Sequence, residues 1–481
     1  MAPATAHRLA NEARGRNGLE MSWRQQAIVD TCFEEGQYES AILNLEQLRS
    51  PSYIMSVSHV RQLIYIALHP ISEAVSEKTT KSIYDSPSKI HQAVKTVISP
   101  SAVKEAQQLL FSLATTQFPE SLARALPSYE STVDAATNAI EDLGDSDISR
   151  ESLCVKGAKD CWSLLAEGFL SRVKILFSTA KRKGRRRPAD IDEMSPADDQ
   201  MEASCNVVAD SAWFMFDWLL TVFDRDEGLW TSKGNPRYSP LLLAQIPPTR
   251  NGASKWDVAT PLAVAMFSLQ QVDPFHQRMG AQLMILLINL SLTPHLNFSM
   301  FVASAFGCLS SAAPEHLYFL LSALPPSLQV HQFKVALCYG FIKELGMSGR
   351  ACTDNHHKPL ARARKTRLPR EGDQMQTLRS PVSASGKVNH IPPCQVILDA
   401  LETKIPEMMD LRLFLQVKFE LLLSYGMIQS KIPAADKDEE WTNALRDKAL
   451  FGTLGVAFDP DYGEDAVRLG KLAQSIVSAW A

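Results

Sequence analysis

Residues 406–426 read PEMMDLRLFLQVKFELLLSYG, and their apolar side chains mark two sides of a helix rather than one. Met408, Leu411, Leu415, Phe419 and Leu422 recur at three- and four-residue steps and form one stripe. Leu413, Val417 and Leu421 form another. A helix that is apolar on opposite faces must be covered on both, as happens inside a stacked helical array. The ends fit the same reading. Pro406 suits a first helical turn, where a missing N–H costs nothing. Glu407 and Asp410 favour the positive end of the helix dipole. Gly426 is a plausible stop.

Helical periodicity recurs along the chain. Cys154, Ala158, Cys161, Trp162, Leu165, Phe169, Val173 and Leu176 predict one amphipathic helix over 149–180. Val208, Ala212, Met215, Trp218, Leu219 and Val222 predict another over 204–223, with Trp213 and Phe216 lying off its stripe. Further helices are expected at 22–35, 38–49, 57–68, 88–98, 101–116, 129–143, 261–271, 275–292, 298–312, 315–323, 328–345, 394–403, 438–450 and 464–479. Pro100 and Pro314 mark breaks between them. No run alternates apolar and polar residues as a half-buried strand would.

Residues 36–51, GQYESAILNLEQLRSP, carry a family likeness. Gly36, Tyr38, Ala41, Ile42, Leu45, Leu48 and Pro51 resemble the second helix of a tetratricopeptide repeat, a helix–turn–helix of about 34 residues. The resemblance implies a tight turn at Gly36, close helix approach at Ala41 and a stop at Pro51. It also implies a first helix at 22–35 that uses Trp23, Ala27 and Ile28. It covers residues 22–51 only and does not return at a fixed period, so the expected fold is all-α: an irregular helical-repeat (α-solenoid-like) stack with disordered insertions.

Composition bounds the class. The chain has 481 residues, of which 45% are hydrophobic and 21% charged, ordinary values for a packed protein. A net charge of −4 argues against general affinity for polyanions. The eight cysteines are scattered through helical patterns and read as reduced thiols rather than a disulfide framework. The start, MAPATAHRLANEARGRNGLEMSW, lacks the apolar core of a secretory signal, so residues 1–20 are expected to be a disordered leader. Residues 279–313 contain no Asp, Glu, Lys or Arg. Pro294 divides that run into halves shorter than the roughly 20 residues of a membrane span, so a buried helical hairpin is expected there, without a transmembrane segment.

Three segments interrupt the helices: 181–202, the Pro/Gly-rich 225–257, and 346–392. They leave an N-terminal helical block at 21–180, a central block at 203–345 with a loop at 225–257, and a C-terminal block at 393–481. The first segment holds Lys181, Arg182, Lys183, Arg185, Arg186 and Arg187. Without interleaved aromatics this cluster does not suit base stacking. Asp190, Asp192, Glu193, Asp198, Asp199 and Glu202 follow it and offset its field, so nucleic-acid contact is not favoured. A nuclear-import signal is the preferred reading. A second basic cluster spans Lys358, Arg362, Arg364, Lys365, Arg367 and Arg370.

Catalytic signatures are missing: no phosphate-binding G-x-x-x-x-G-K-[ST], no G-x-G-x-x-G after a strand, no H-E-x-x-H. Cys352, His356, His357, His390 and Cys394 are zinc-ligand types, but their spacing is too loose to assign a metal. Asp459–Gly463 (DPDYG) reads as a turn before a helix opened by Glu464 and Asp465, not a calcium loop. These readings converge on a non-catalytic, cofactor-free scaffold that binds other proteins in a multi-subunit, nuclear, chromosome-associated assembly. Two other classes stand beside it: a helical adaptor at an organelle membrane working through 279–313, and an enzyme in a helical fold with no familiar signature.

Overall fold

A computed structural model describes residues 19–50, 53–70, 98–127, 129, 146–170, 207–247, 258–348, 391–405, 410–433 and 436–480. The fold is all-α, and its helix-on-helix packing is consistent with a helical-repeat stack. One short exception is a parallel pairing of two residues on each side, β1 (Leu19–Glu20) with β2 (Tyr53–Ile54). It ties down the last two residues of the expected leader.

The chain divides into two units. The first is Met1–Asn297 with Ser322–Leu324, and the second is Phe298–Leu321 with Pro325–Ala481. The division falls inside the expected central block, at 297/298.

The first unit opens with the hairpin of α1 (Trp23–Glu34) and α2 (Tyr38–Leu48). Ser22 and Gln25 form a reciprocal capping box that starts α1. Gly36, at φ 74°, makes the turn with a backbone that side chains other than glycine's resist. Then follow α3 (Val57–Ala67), α4 (Pro100–Thr116) and α5 (Pro119–Ala123). Next come α6 (Asp147–Lys156), α7 (Trp213–Ser232) and α8 (Pro240–Ala244). The unit continues with α9 (Ala259–Leu269) and α10 (Pro274–Ser291). Serine or aspartate caps recur at Ser56, Ser99, Ser146, Ser239 and Asp273, each worth about 1 kcal/mol. α3 is buried against α4 and α6, and α7 packs on α4, α5, α8 and α10. Three expectations change here. The helix at 149–180 stops at Lys156, because the Asp160 carboxylate captures the Ser163 N–H and hydroxyl and starts a 3₁₀ turn at Cys161–Leu164. The apolar positions Cys154, Cys161, Trp162 and Leu165 are buried nonetheless. The loop at 225–257 is in part helix: α7 runs through Gly228 to Ser232, and α8 starts at Pro240. α7 itself opens with a 3₁₀ turn at Asp210–Ala212; residues 207–209 before it are not helical, and 204–206 lie outside the described residues. Trp213 and Phe216 are buried beside its main stripe, as a helix covered on two sides requires.

The second unit holds α11 (Phe298–Ser310), most of α12 (Pro314–Ala323), α13 (Leu328–Ser348) and α14 (Cys394–Glu402). It ends with α15 (Leu411–Lys431), α16 (Glu439–Arg446), α17 (Ala449–Ala457) and α18 (Glu464–Trp480). α15 lies among α13, α14 and α18, the coverage its double stripe demands. Asp410 caps it through the Arg412 and Leu413 N–H groups. Gly426 does not stop it; the helix continues to Lys431, and Pro433 follows. The single helix expected at 438–450 is two, broken where Lys448 adopts a left-handed backbone at φ 57°. The charge-free run 279–313 supplies two helices with buried faces. The division into units falls between them, with α10 in the first and α11 in the second. Among the described residues no helix is long and apolar enough to cross a membrane. The helices expected at 88–98 and 129–143 lie almost entirely outside the described residues, as do the segments 181–202 and all but the ends of 346–392.

Gly280 sets the spacing of α9 and α10. A Cβ there would lie 2.8 Å from the Ala265 carbonyl oxygen and 2.9 Å from the Leu269 nitrogen, both backbone atoms that cannot swing aside. Gly228, within α7, has nothing within 4 Å. Gly280→Ala is therefore expected to cost about 1–3 kcal/mol in urea denaturation by overpacking. Gly228→Ala should be neutral or gain up to about 1 kcal/mol from helix propensity.

Candidate functional site

The import cluster Lys181–Arg187 lies outside the described residues, as do the second basic cluster, Cys352, His356, His357 and His390. Cys394 is described. It is the first residue of α14, fully buried, and its N–H donates to Asp438 Oδ2 at 2.9 Å. Burial, with Asp438 and Glu440 nearby, pushes its thiol up to about 12. Among the described residues no group of three or more His, Cys, Asp or Glu side chains is placed to hold a metal ion. Asp459–Gly463 is the expected turn: the Asp459 side chain accepts from the Asp461 N–H, and Gly463 leads into Glu464 and Asp465 of α18.

Buried polar groups in the first unit converge on the end of α7. Asp226 accepts from the Ser239 hydroxyl at 2.6 Å and the Leu241 N–H at 2.9 Å. Glu227 accepts from Arg237 Nε at 2.5 Å and from Asn289 Nδ2 at 2.9 Å. The two carboxylates thus fasten the α7–α8 connection and α10 to α7. Arg225, next in line, donates to the carbonyls of Ala114 and Gln117 at the end of α4. From α8, Gln245 accepts the Cys161 N–H at 3.1 Å and donates to the Pro127 carbonyl at 2.7 Å, and its own carbonyl accepts from Trp162 Nε1. Asp226 and Glu227 fall in the stretch expected to be a loop. Asp226 and Glu227 are interior because donors for each carboxylate arrive from segments remote in the chain.

In the second unit Lys334 of α13 donates to Glu420 of α15 at 3.1 Å, with both side chains nearly buried. One turn away, His331 Nδ1 lies 3.4 Å from Ser424 Oγ. Burial, with Lys431 and Lys334 nearby, holds His331 down at about 4, so it is neutral at pH 7. Lys418, on another face of α15, is 1% exposed, with its ammonium 5.2 Å from the Phe414 ring centroid. Burial lowers it to about 8 against the opposing pull of Glu402.

The surface tells against one implied role. In α1 the buried face is Val29 and Phe33, whereas Trp23 is 74% exposed, Ile28 57% exposed, and Ala27 also exposed. The residues that the tetratricopeptide likeness assigns to the first helix therefore face outward. The Arg24 guanidinium lies over the Trp23 ring, 5.5 Å from its centroid. Trp23, Arg24, Ala27 and Ile28 form an outward apolar and cationic face on a helix anchored by its other side. The second helix keeps the likeness: Tyr38, Ala41, Ile42 and Leu45 are buried. Sequence reasoning placed the α1 stripe one helical face away; Val29 and Phe33, four residues apart, were the available signal. No protein-family model, curated protein or solved structure matches this chain.

Burial raises Asp226 to about 6 against its ordinary 3.8. A carboxyl raised in the folded state stabilises most below its unfolded pKa, and that contribution is lost as pH rises through about 6. Asp226→Asn removes the titration. Urea denaturation from pH 4 to 7 should show the variant gaining on the wild type by roughly 2 kcal/mol as pH rises.

Proposed function

We propose that this chain is a non-catalytic helical scaffold that binds partner proteins in a multi-subunit nuclear assembly associated with chromosomes. The observation that carries the protein-binding part is the outward face of α1. A tryptophan at 74% exposure with an arginine guanidinium 5.5 Å from its ring centroid stands on a helix held by Val29 and Phe33. Trp and Arg are the residue types in which interface binding energy concentrates. The α1 helix is itself held by the hairpin with α2, whose Tyr38, Ala41, Ile42 and Leu45 are buried, which supports a fixed framework for that face. The nuclear part is supported by Lys181–Arg187, six cations in seven residues of a chain with net charge −4.

Trp23→Asp combined with Ile28→Asp should leave stability within about 0.5 kcal/mol, because both side chains are exposed. Affinity purification with mass spectrometry should then lose partners that the wild type captures; an unchanged partner set rejects the reading. Deleting 181–187 should shift a fluorescent fusion from nucleus to cytoplasm. Wild-type protein that is never nuclear, or a deletion that stays there, removes the nuclear assignment.

A further inference from the structure

α13 and α18 both pack on α15, in different ways. α13 is joined to it by the buried Lys334–Glu420 pair and by His331 against Ser424. α18 meets its neighbours with Ala466, Leu469, Gly470, Ala473 and Val477, mostly small side chains that remove little apolar area from water. A polar tie between α18 and α15, Arg412 to Asp465, spans 3.9 Å with both side chains well exposed, a geometry that adds little.

The far end of α18 is different. The half-buried Trp480 indole occupies the space where a Cβ on Gly426 of α15 would stand. Trp441 flanks it, with ring centroids 6.0 Å apart, and Tyr425 meets Trp441 edge-on at 5.2 Å. These walls are fixed in place. The Tyr425 hydroxyl donates to Asp438 Oδ2 at 3.0 Å, Asp438 caps α16, and the Asp438 N–H donates to Gln429 Oε1. At the near end, α18 is entered through Gly463 at φ 95°, a backbone that a glycine visits freely.

We propose that α18 is a releasable strap, pivoting at Gly463 and latched by the Trp480 indole in the notch that Gly426 leaves on α15. Release uncovers the aromatic floor of Tyr425 and Trp441, which are 1% and 3% exposed when the strap is closed.

Hydrogen exchange of the full-length chain, read segment by segment, tests this. In the wild type, α18 amides are expected to exchange faster than those of α15 and α13. Trp480→Ala should speed α18 exchange by about tenfold or more and leave α13 unchanged. Gly426→Ala is the sharper variant. It puts a methyl where the indole stands, so if α18 is merely packed as part of one cooperative core the overpacking lowers protection in α15 and α13 together with α18. The latch predicts faster exchange in α18 alone, because the new methyl evicts the indole. Wild-type α18 exchanging in step with α13 and α15 would overturn the proposal. So would unchanged α18 protection in Gly426→Ala, or joint loss of protection in α13 and α18 in both variants.

Discussion

α15 cannot be stable with any side in water. Leu413, Phe414, Leu415, Val417, Phe419, Leu421 and Leu422 surround it, and burying each such side chain is worth about 1.5–3 kcal/mol. That requirement recruits α13, α14 and α18 at once. It also creates a difficulty, because Lys418 and Glu420 travel inward with the apolar residues. A buried charge is tolerated only when paired or otherwise compensated. Lys334 answers Glu420, and the Phe414 ring face lies near Lys418. The apolar pattern demands coverage, and the polar residues set which neighbour lies on which side.

The first unit meets the same difficulty by other means. Its interior charges are satisfied chiefly by groups from connecting segments: Ser239 and Leu241 for Asp226, Arg237 with Asn289 of α10 for Glu227. Arg225 completes the end of α4, whose last carbonyls have no partner within their own helix. These contacts make the short α8 and its flanks part of the core.

The class of fold was legible because periodicity reports which residues seek burial. The stripe on α7 and, from Leu413 onward, those on α15 are buried where the pattern put them, while Leu411 at the start of α15 is exposed and Met408 lies outside the described residues; Pro100 and Pro314 each open a helix. Boundaries were less legible because they depend on single polar contacts. Asp160 ends a periodic run that reads as continuous, and Lys448 does so by a backbone conformation with no sequence signal. Gly426 resembles a helix stop because the indole it accommodates lies 54 residues away in sequence. The outward face of α1 was misplaced for a related reason. A family-like spacing says which residues are apolar, and the partner helix decides which of them it covers.

The pairing of Lys334 with Glu420 has a consequence in time. The two residues are 86 positions apart. At translation rates of about 5–20 residues per second, the α13 lysine emerges on the order of 4–17 s before the carboxylate that neutralises it. Throughout that interval α13 has an apolar surface and a cation that belong together only in the presence of α15. The first unit has comparable waits, since Arg225 follows the Ala114 carbonyl that it answers by 111 residues, but there a carbonyl waits and not a buried cation. Neither unit can therefore close its interior helix by helix as it is made; each must hold early helices open for partners that arrive roughly a hundred residues later.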